Sequence, residues 1–263
     1  MKKLIVSLLL PFLLLAAALC GFFFWREYQT AQEEVLEYVQ IRETYTAEKT
    51  VSGNMPQGLE DAAEAPSLSV DFTSLLDTNP ETVGWLSIPG TGISYPVAQA
   101  RDNEKYLHTS FYGKHSGTGT VFMDCGNAAM PLDRNTILYG HNMGQGRTDM
   151  FGSLLRYTEK EFYDAHRQIQ FDTVWQEHSP WRVFAVIQID ADAAKWDYLK
   201  QSFRDETDFQ EWIVQAQVLS LYDADMPIPE GANILTLSTC DRSQYGAGGR
   251  LVVLAVRTRE ILE

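Results

Sequence analysis

From Leu4 to Trp25 the chain runs for 22 residues without a charge, LIVSLLLPFLLLAAALCGFFFW. As a helix, a stretch of that length spans roughly 30 Å, the thickness of a bilayer's hydrocarbon core. No other feature limits the fold as strongly, because it sets these residues apart from a water-facing core. Pro11 is tolerated in such a helix, where local adjustment re-satisfies the freed carbonyl. Trp25 and the phenylalanines before it suit a membrane interface. The competing reading is a cleaved signal peptide, whose apolar core runs about 7–15 residues and ends in a small-residue cleavage site. Here the run is longer, and large aromatics follow its small-residue patch, Ala16–Ala18. The sequence therefore predicts a tail of residues 1–3 and an uncleaved transmembrane anchor over 4–25. Lys2 and Lys3 precede the run, whereas Glu27, Glu33 and Glu34 follow Arg26. The positive-inside tendency then predicts a single-pass protein of the cell membrane, N-terminus cytoplasmic and bulk extracellular.

Residues 1–25 hold two lysines and no acid, so the remainder has 19 basic and 35 acidic residues, a formal charge of −16. Nucleic acid is excluded as a partner, because phosphate binding needs a basic face. A solvated acidic surface accounts for the charge. There are three cysteines. Cys20 lies in the apolar run and reads as a small packing residue. Cys125 and Cys240 are too few for a disulfide scaffold. Either they pair, or at least one is kept as a thiol. Cys and His show no metal-ligand spacing, so neither a metal nor another cofactor is expected.

Residues 26–48 lack Gly and Pro, and Ala31, Val35, Tyr38, Val39 and Tyr45 space as on a helix. They read as a helical stalk, and 49–68, with Gly, Pro, Ser and acids in no period, as a linker. The globular domain is placed at 69–263. A short helix is predicted over Phe72–Leu76. Strands are predicted at Val83–Ile88, Ile93–Val97, Thr120–Asp124, Thr136–Tyr139, Ile169–Asp172, Val183–Ile189, Ile234–Thr239 and Leu251–Val256. Helical segments are predicted around Asp149–Tyr157 and Glu159–His166. The clearest helix is Asp208–Leu219, where Phe209, Trp212, Ile213 and Ala216 follow the i, i+3, i+4, i+7 rule. Some eight short strands in one domain suggest a closed barrel or a sandwich.

Three segments carry chemistry. In Asn135–Met143 a strand-like run ends at Gly140 and delivers His141. In Ile234–Cys240 another runs into a cysteine. In Gly248-Gly249-Arg250 a glycine pair sets an arginine at the start of a strand. A thiol nucleophile needs a neighbour that manages protons, and donors where the oxyanion develops. Cys240, His141 and Arg250 supply those functions. Singly, each has a plainer reading: a small buried residue, a turn residue and a surface charge.

The full strings resemble the sortase family, and within it the class B sortases. Thr236-Leu237-Ser238-Thr239-Cys240 matches the family's Thr-Leu-x-Thr-Cys segment. Tyr139-Gly140-His141 matches its histidine strand, with Asn142-Met143 as in class B. Arg250 opens the strand after the cysteine, and the order His, Cys, Arg agrees. Asn79 to Trp85 and Ile88 to Val97 resemble the class B domain start, and Asp149-Met150-Phe151-Gly152 the segment after the histidine. The helix at 208–219 resembles the one that class B members insert before the cysteine strand.

The resemblance covers roughly residues 70–257. It implies an eight-stranded β-barrel with added helices and a cysteine transpeptidase of the thiol-peptidase type. Such an enzyme cleaves a C-terminal sorting signal, of the LPxTG or NPxTx kind, on secreted proteins. Cys240 attacks the carbonyl and forms a thioacyl-enzyme. His141 protonates the departing amine and deprotonates the incoming one, from a peptidoglycan precursor or a pilin. Arg250 positions the substrate and steadies the oxyanion. Thr239 and Ser238 line the same site. A Cys125–Cys240 disulfide would silence the enzyme, and a free Cys125 is expected. Two other readings stay open: a peptidase or wall hydrolase with water as acceptor, and a non-catalytic wall-interaction module. An L,D-transpeptidase is excluded, because its Ser-His-Gly-Cys segment is absent.

Overall fold

Short strands rich in β-branched and aromatic residues leave unpaired edges unless the sheet closes on itself. In the computed structural model of the chain, eight of them do so. The structure describes residues 2–48, 68–144, 146–175, 180–223 and 226–258, with side chains from Phe12 onward. The barrel strands are β1 (Thr82–Ser87), β2 (Ser94–Ala98), β3 (Val121–Met123), β4 (Asn135–Tyr139), β5 (Gln168–Thr173), β6 (Pro180–Asp190), β7 (Ile234–Cys240) and β8 (Gly249–Arg257). They neighbour one another in the order β8-β6-β5-β1-β2-β3-β4-β7, and β7 closes onto β8. All pairs are antiparallel except β2–β3 and β4–β7. Each strand falls where the hydrophobic runs predict one.

The runs are near-continuous rather than alternating because many strands are covered on both faces. Leu251 to Val256 of β8 are all buried. One cover is helix α4 (Glu206–Leu219), which starts two residues before the predicted Asp208. Its predicted face, Phe209, Trp212, Ile213 and Ala216, packs with Phe184, Ile187, Ile234, Val252 and Leu254. Burying each large side chain of that face contributes about 1.5–3 kcal/mol. Asp205 caps the helix, its carboxylate accepting from the Asp208 N–H at 2.9 Å. Asp208 is held down at about 2, chiefly by the Lys200 ammonium that donates to it.

Helix α2 (Phe72–Thr78) is capped by Asp71, and α3 spans Lys160–Ala165. The helix predicted over Asp149–Tyr157 is instead a turn followed by a 3-10 segment, Gly152–Thr158. Met150 breaks the α-helical path with a φ of 50°, rare for a side-chain-bearing residue. Its N–H is fixed by the Tyr95 hydroxyl at 2.9 Å, and the side chain is buried.

The chain divides into two compact units, Met1–Gln40 and Ile41–Glu263. The first belongs to helix α1 (Lys2–Tyr45). Here the anchor expected over 4–25 is corrected: among the described residues no helix is long and apolar enough to cross a membrane. Helix α1 carries the apolar run up to Trp25. After it the helix continues through Arg26, Glu27, Glu33 and Glu34. That finding overturns the single-pass membrane location, with its cytoplasmic tail and extracellular domain. The expected stalk, 26–48, is helical to Tyr45, and Thr46–Glu48 then pairs antiparallel with Leu68–Val70. The linker, apart from Leu68, lies outside the described residues.

Candidate active site

β7 is the strand on which the site is built, because it pairs with β4 on one side and β8 on the other. On the β8 side Cys240 stands opposite Arg250. Opposed residues of adjacent strands share a face, with Cβ atoms about 4.5–5.5 Å apart. On the β4 side the parallel register sets Tyr139 beside Ser238, and the Gly140 N–H donates to the Ser238 carbonyl at 3.4 Å. One residue on, the chain beyond β4 carries His141. Three adjacent strand ends thus carry the predicted histidine, cysteine and arginine to one rim. Cys240 is partly exposed there and is a free thiol.

Gly140 is required by packing. A Cβ at this position would lie 2.6 Å from the Phe151 ring. The loop folds back so that the Phe151 N–H donates to the His141 carbonyl at 2.9 Å. Asn142 then donates through Nδ2 to the Cys240 carbonyl at 2.8 Å. The histidine loop is therefore pinned to the cysteine's own backbone.

The imidazole Nε2 lies 2.8 Å from the Leu107 carbonyl. A carbonyl only accepts, so Nε2 carries the proton of that bond. In the neutral ring Nδ1 is then the nitrogen without a proton. The His108 ring stands 6.5 Å from that of His141.

Arg250 is held differently. Its Nη1 donates to the carbonyls of Ala247 and Gly249, at 3.1 and 2.9 Å, both within its own loop. That loop contains the short helix α5 (Arg242–Tyr245), capped by Asp241. Asp241 accepts from the N–H and hydroxyl of Ser243 and from Gln188 Nε2 at 2.7 Å. Burial pushes this carboxyl up, but those donors outweigh it and hold it below the usual range. Gly249 closes the loop tightly, since a Cβ there would meet the Asp241 carbonyl at 1.9 Å.

Ser238 and Thr239 fall on opposite faces of β7, and both are buried. Ser238 shares the Cys240 face, where it hydrogen-bonds the Tyr198 phenol. Thr239 points the other way and donates to the Gly140 carbonyl at 2.8 Å, bracing β7 against β4. Cys125, exposed and also a free thiol, lies just beyond β3. Among the described residues no cluster of three or more His, Cys, Asp or Glu is placed to hold a metal ion.

Sequence reasoning missed Leu107, Tyr198 and Asp124. Leu107 acts through a backbone carbonyl, which no residue pattern announces. Tyr198 sits in an irregular segment without period. Asp124, the last residue of the predicted strand Thr120–Asp124, stands in no motif, yet it is buried and gathers four donors.

A family model described as the sortase domain matches residues 86–258. Sortase B of Listeria monocytogenes is 33% identical over 183 residues, covering 70% of this chain and 72% of that protein. Sortase B of Staphylococcus aureus is 33% identical over 184 residues, 70% of this chain and 73% of that one. Among solved structures, sortase B from Bacillus anthracis in complex with AAEK1 superposes with a TM-score of 0.70 at 31% identity. That match covers 88% of this chain and 98% of the other. A Staphylococcus aureus sortase B–substrate complex gives 0.64 at 32% identity, covering 70% and 83%.

Proposed function

The chain belongs to the sortase family, and from that membership we propose that Cys240, His141 and Arg250 carry out a class B transpeptidation on a C-terminal sorting signal. The Cys240 thiolate attacks the scissile carbonyl carbon, forming a C–S bond. As the tetrahedral centre collapses, the C–N bond breaks and the departing amine takes a proton from His141 Nδ1. The thioacyl-enzyme is then attacked by an amine of the cell wall or a pilin, which gives its proton back to the same nitrogen. The thiolate leaves and the cycle closes. His141 thus serves as acid and then as base, a role generally worth about 10²–10⁴ in rate. Arg250, opposite the nucleophile, supplies the positive charge for the oxyanion and the substrate backbone.

The observation that carries this reading is the register. β7 sets Cys240 opposite Arg250, and the β4 pairing, which ends with Tyr139 beside Ser238, leads into His141. Asn142 locks the last relation through the Cys240 carbonyl. Ser238 and Thr239 serve as supports: Ser238 fixes Tyr198 over the cysteine's face, and Thr239 holds the histidine strand.

The test uses quenched peptides of the Leu/Asn/Ser-Pro-x-Thr type with and without triglycine. Cleavage should depend on Cys240, and the added amine should divert product from acid to amide. Product that stays acid at every amine concentration marks a hydrolase. Unchanged cleavage by Cys240→Ala refutes the assignment.

A further inference from the structure

The Cys240 face of β7 and β4 also carries Tyr139, Ser238 and Asn135. Two irregular segments stand over it. One precedes β3 and runs from Asn103 to Leu107, whose carbonyl holds the His141 ring. The other follows β6. Asn135 Nδ2 seats it by donating to the carbonyls of Tyr198 and Lys200, both at 3.0 Å. Its Tyr198 phenol reaches Ser238, two residues from the nucleophile. These segments form two walls over the floor on which Cys240 stands.

One side chain joins both walls to the floor. Asp124 Oδ2 accepts from Asn103 Nδ2 of the first wall at 2.9 Å and from the Tyr139 hydroxyl of the floor at 2.8 Å. Oδ1 accepts from Gln201 Nε2 of the second wall at 2.9 Å and from the Gly126 N–H at 2.8 Å. Each oxygen takes two donors, which fills the acceptor capacity of a carboxylate. All four are neutral, so the charge is held by oriented dipoles and the geometry is set by all four at once. The first wall is fastened again, as Asn103 Oδ1 accepts from the Cys125 N–H at 2.8 Å. Tyr139 is itself seated against Phe122, ring centres 5.2 Å apart.

We propose that Asp124 is a positioning residue that sets the separation of these two walls, and with it the alignment of a peptide over Cys240. This rests on the transpeptidase reading only for the peptide; the clamp is a property of the chain. Asp124→Asn puts an NH₂ where two donors now point, so one wall loses its acceptor, and the other keeps a neutral amide oxygen in place of a charge-assisted one. Tyr139→Phe removes a single donor and keeps the ring.

The test applies two readouts to the full chain. The first is amide hydrogen exchange, read on peptides covering 99–107 and 196–204. In Asp124→Asn both should exchange about fivefold or more faster, while peptides from β7 and β8 keep their protection. The second is sorting-peptide cleavage beside iodoacetamide alkylation of Cys240. KM should rise about tenfold, with the alkylation rate within about twofold, since the lost bonds position substrate rather than activate the thiol. Tyr139→Phe should shift both readouts the same way by less. Faster exchange in one wall alone or in neither, an unchanged KM, or a Tyr139→Phe chain identical to wild type overturns the proposal. If Asp124→Asn unfolds the chain, Tyr139→Phe decides alone. If the wild-type chain cleaves no sorting peptide, the transpeptidase reading fails, and the exchange result still decides the clamp.

Discussion

The two arms that flank Cys240 are secured in different ways. On the β4 side His141 is fixed from several directions. Leu107 holds its ring, Phe151 its carbonyl, and Asn142 ties the next residue to Cys240. On the β8 side the Arg250 guanidinium bonds to carbonyls one and three residues away, inside its own loop. Bonds to distant segments preorganise a group, whereas bonds within a loop move with it. The contrast suits the proposed chemistry. A proton-transfer group must be aligned before substrate arrives, while a cation can exchange two carbonyls for a substrate carbonyl and oxyanion.

The strongest way to break the comparison is on the histidine side. His141→Ala should lower kcat/KM by about a thousandfold, within the range for a lost general acid–base, with an unchanged melting temperature. Arg250→Ala should cost about a hundredfold, like the loss of one oxyanion donor. Arg250→Lys should recover only part of it, since an ammonium lacks the planar fork. If the arms were equally fixed, the two alanine variants would cost alike. Asn142→Ala should cost about tenfold in kcat with little change in KM, because alignment is lost and not binding. Steady-state kinetics checks all four variants, with a thermal melt for His141→Ala.

pH separates the arms further. Asp241 secures the arginine loop, and its carboxyl lies below the ordinary carboxylate range in the folded chain. A group so depressed stabilises the fold fully above the unfolded value, near pH 4, and loses that contribution as pH falls through the lower folded value. Thermal melts between pH 6 and 2.5 should therefore fall less steeply for Asp241→Asn than for wild type. Equal slopes would remove Asp241 from the account. The smallest effect is expected far from the rim. Asp205→Ala, which removes the α4 cap, should cost about 1 kcal/mol of stability and leave kcat/KM unchanged.

Much of this site is legible in the residues. β-branched runs between turn signals mark all eight strands, and the strings around Cys240, His141 and Arg250 fall on three adjacent strand ends. What is illegible has physical causes. The partner of His141 is a backbone carbonyl 34 residues away. Asp124 ends a predicted strand without any motif around it, and its four donors meet only in the fold. The segment after His141 has helical spacing, but Met150 at positive φ makes it a turn and a 3-10 helix. The apolar N-terminal run invited a membrane anchor, yet the described residues hold no helix long and apolar enough to span one.

The contrast between the arms has meaning only if Cys240 forms the acyl bond they serve. The direct measurement is intact-mass spectrometry of the full chain mixed with a sorting peptide, quenched early, with and without triglycine. The account predicts an adduct of the N-terminal peptide fragment on Cys240 that disappears as the amide product forms when triglycine is present. No adduct on Cys240, or cleavage that persists in Cys240→Ala, would contradict it.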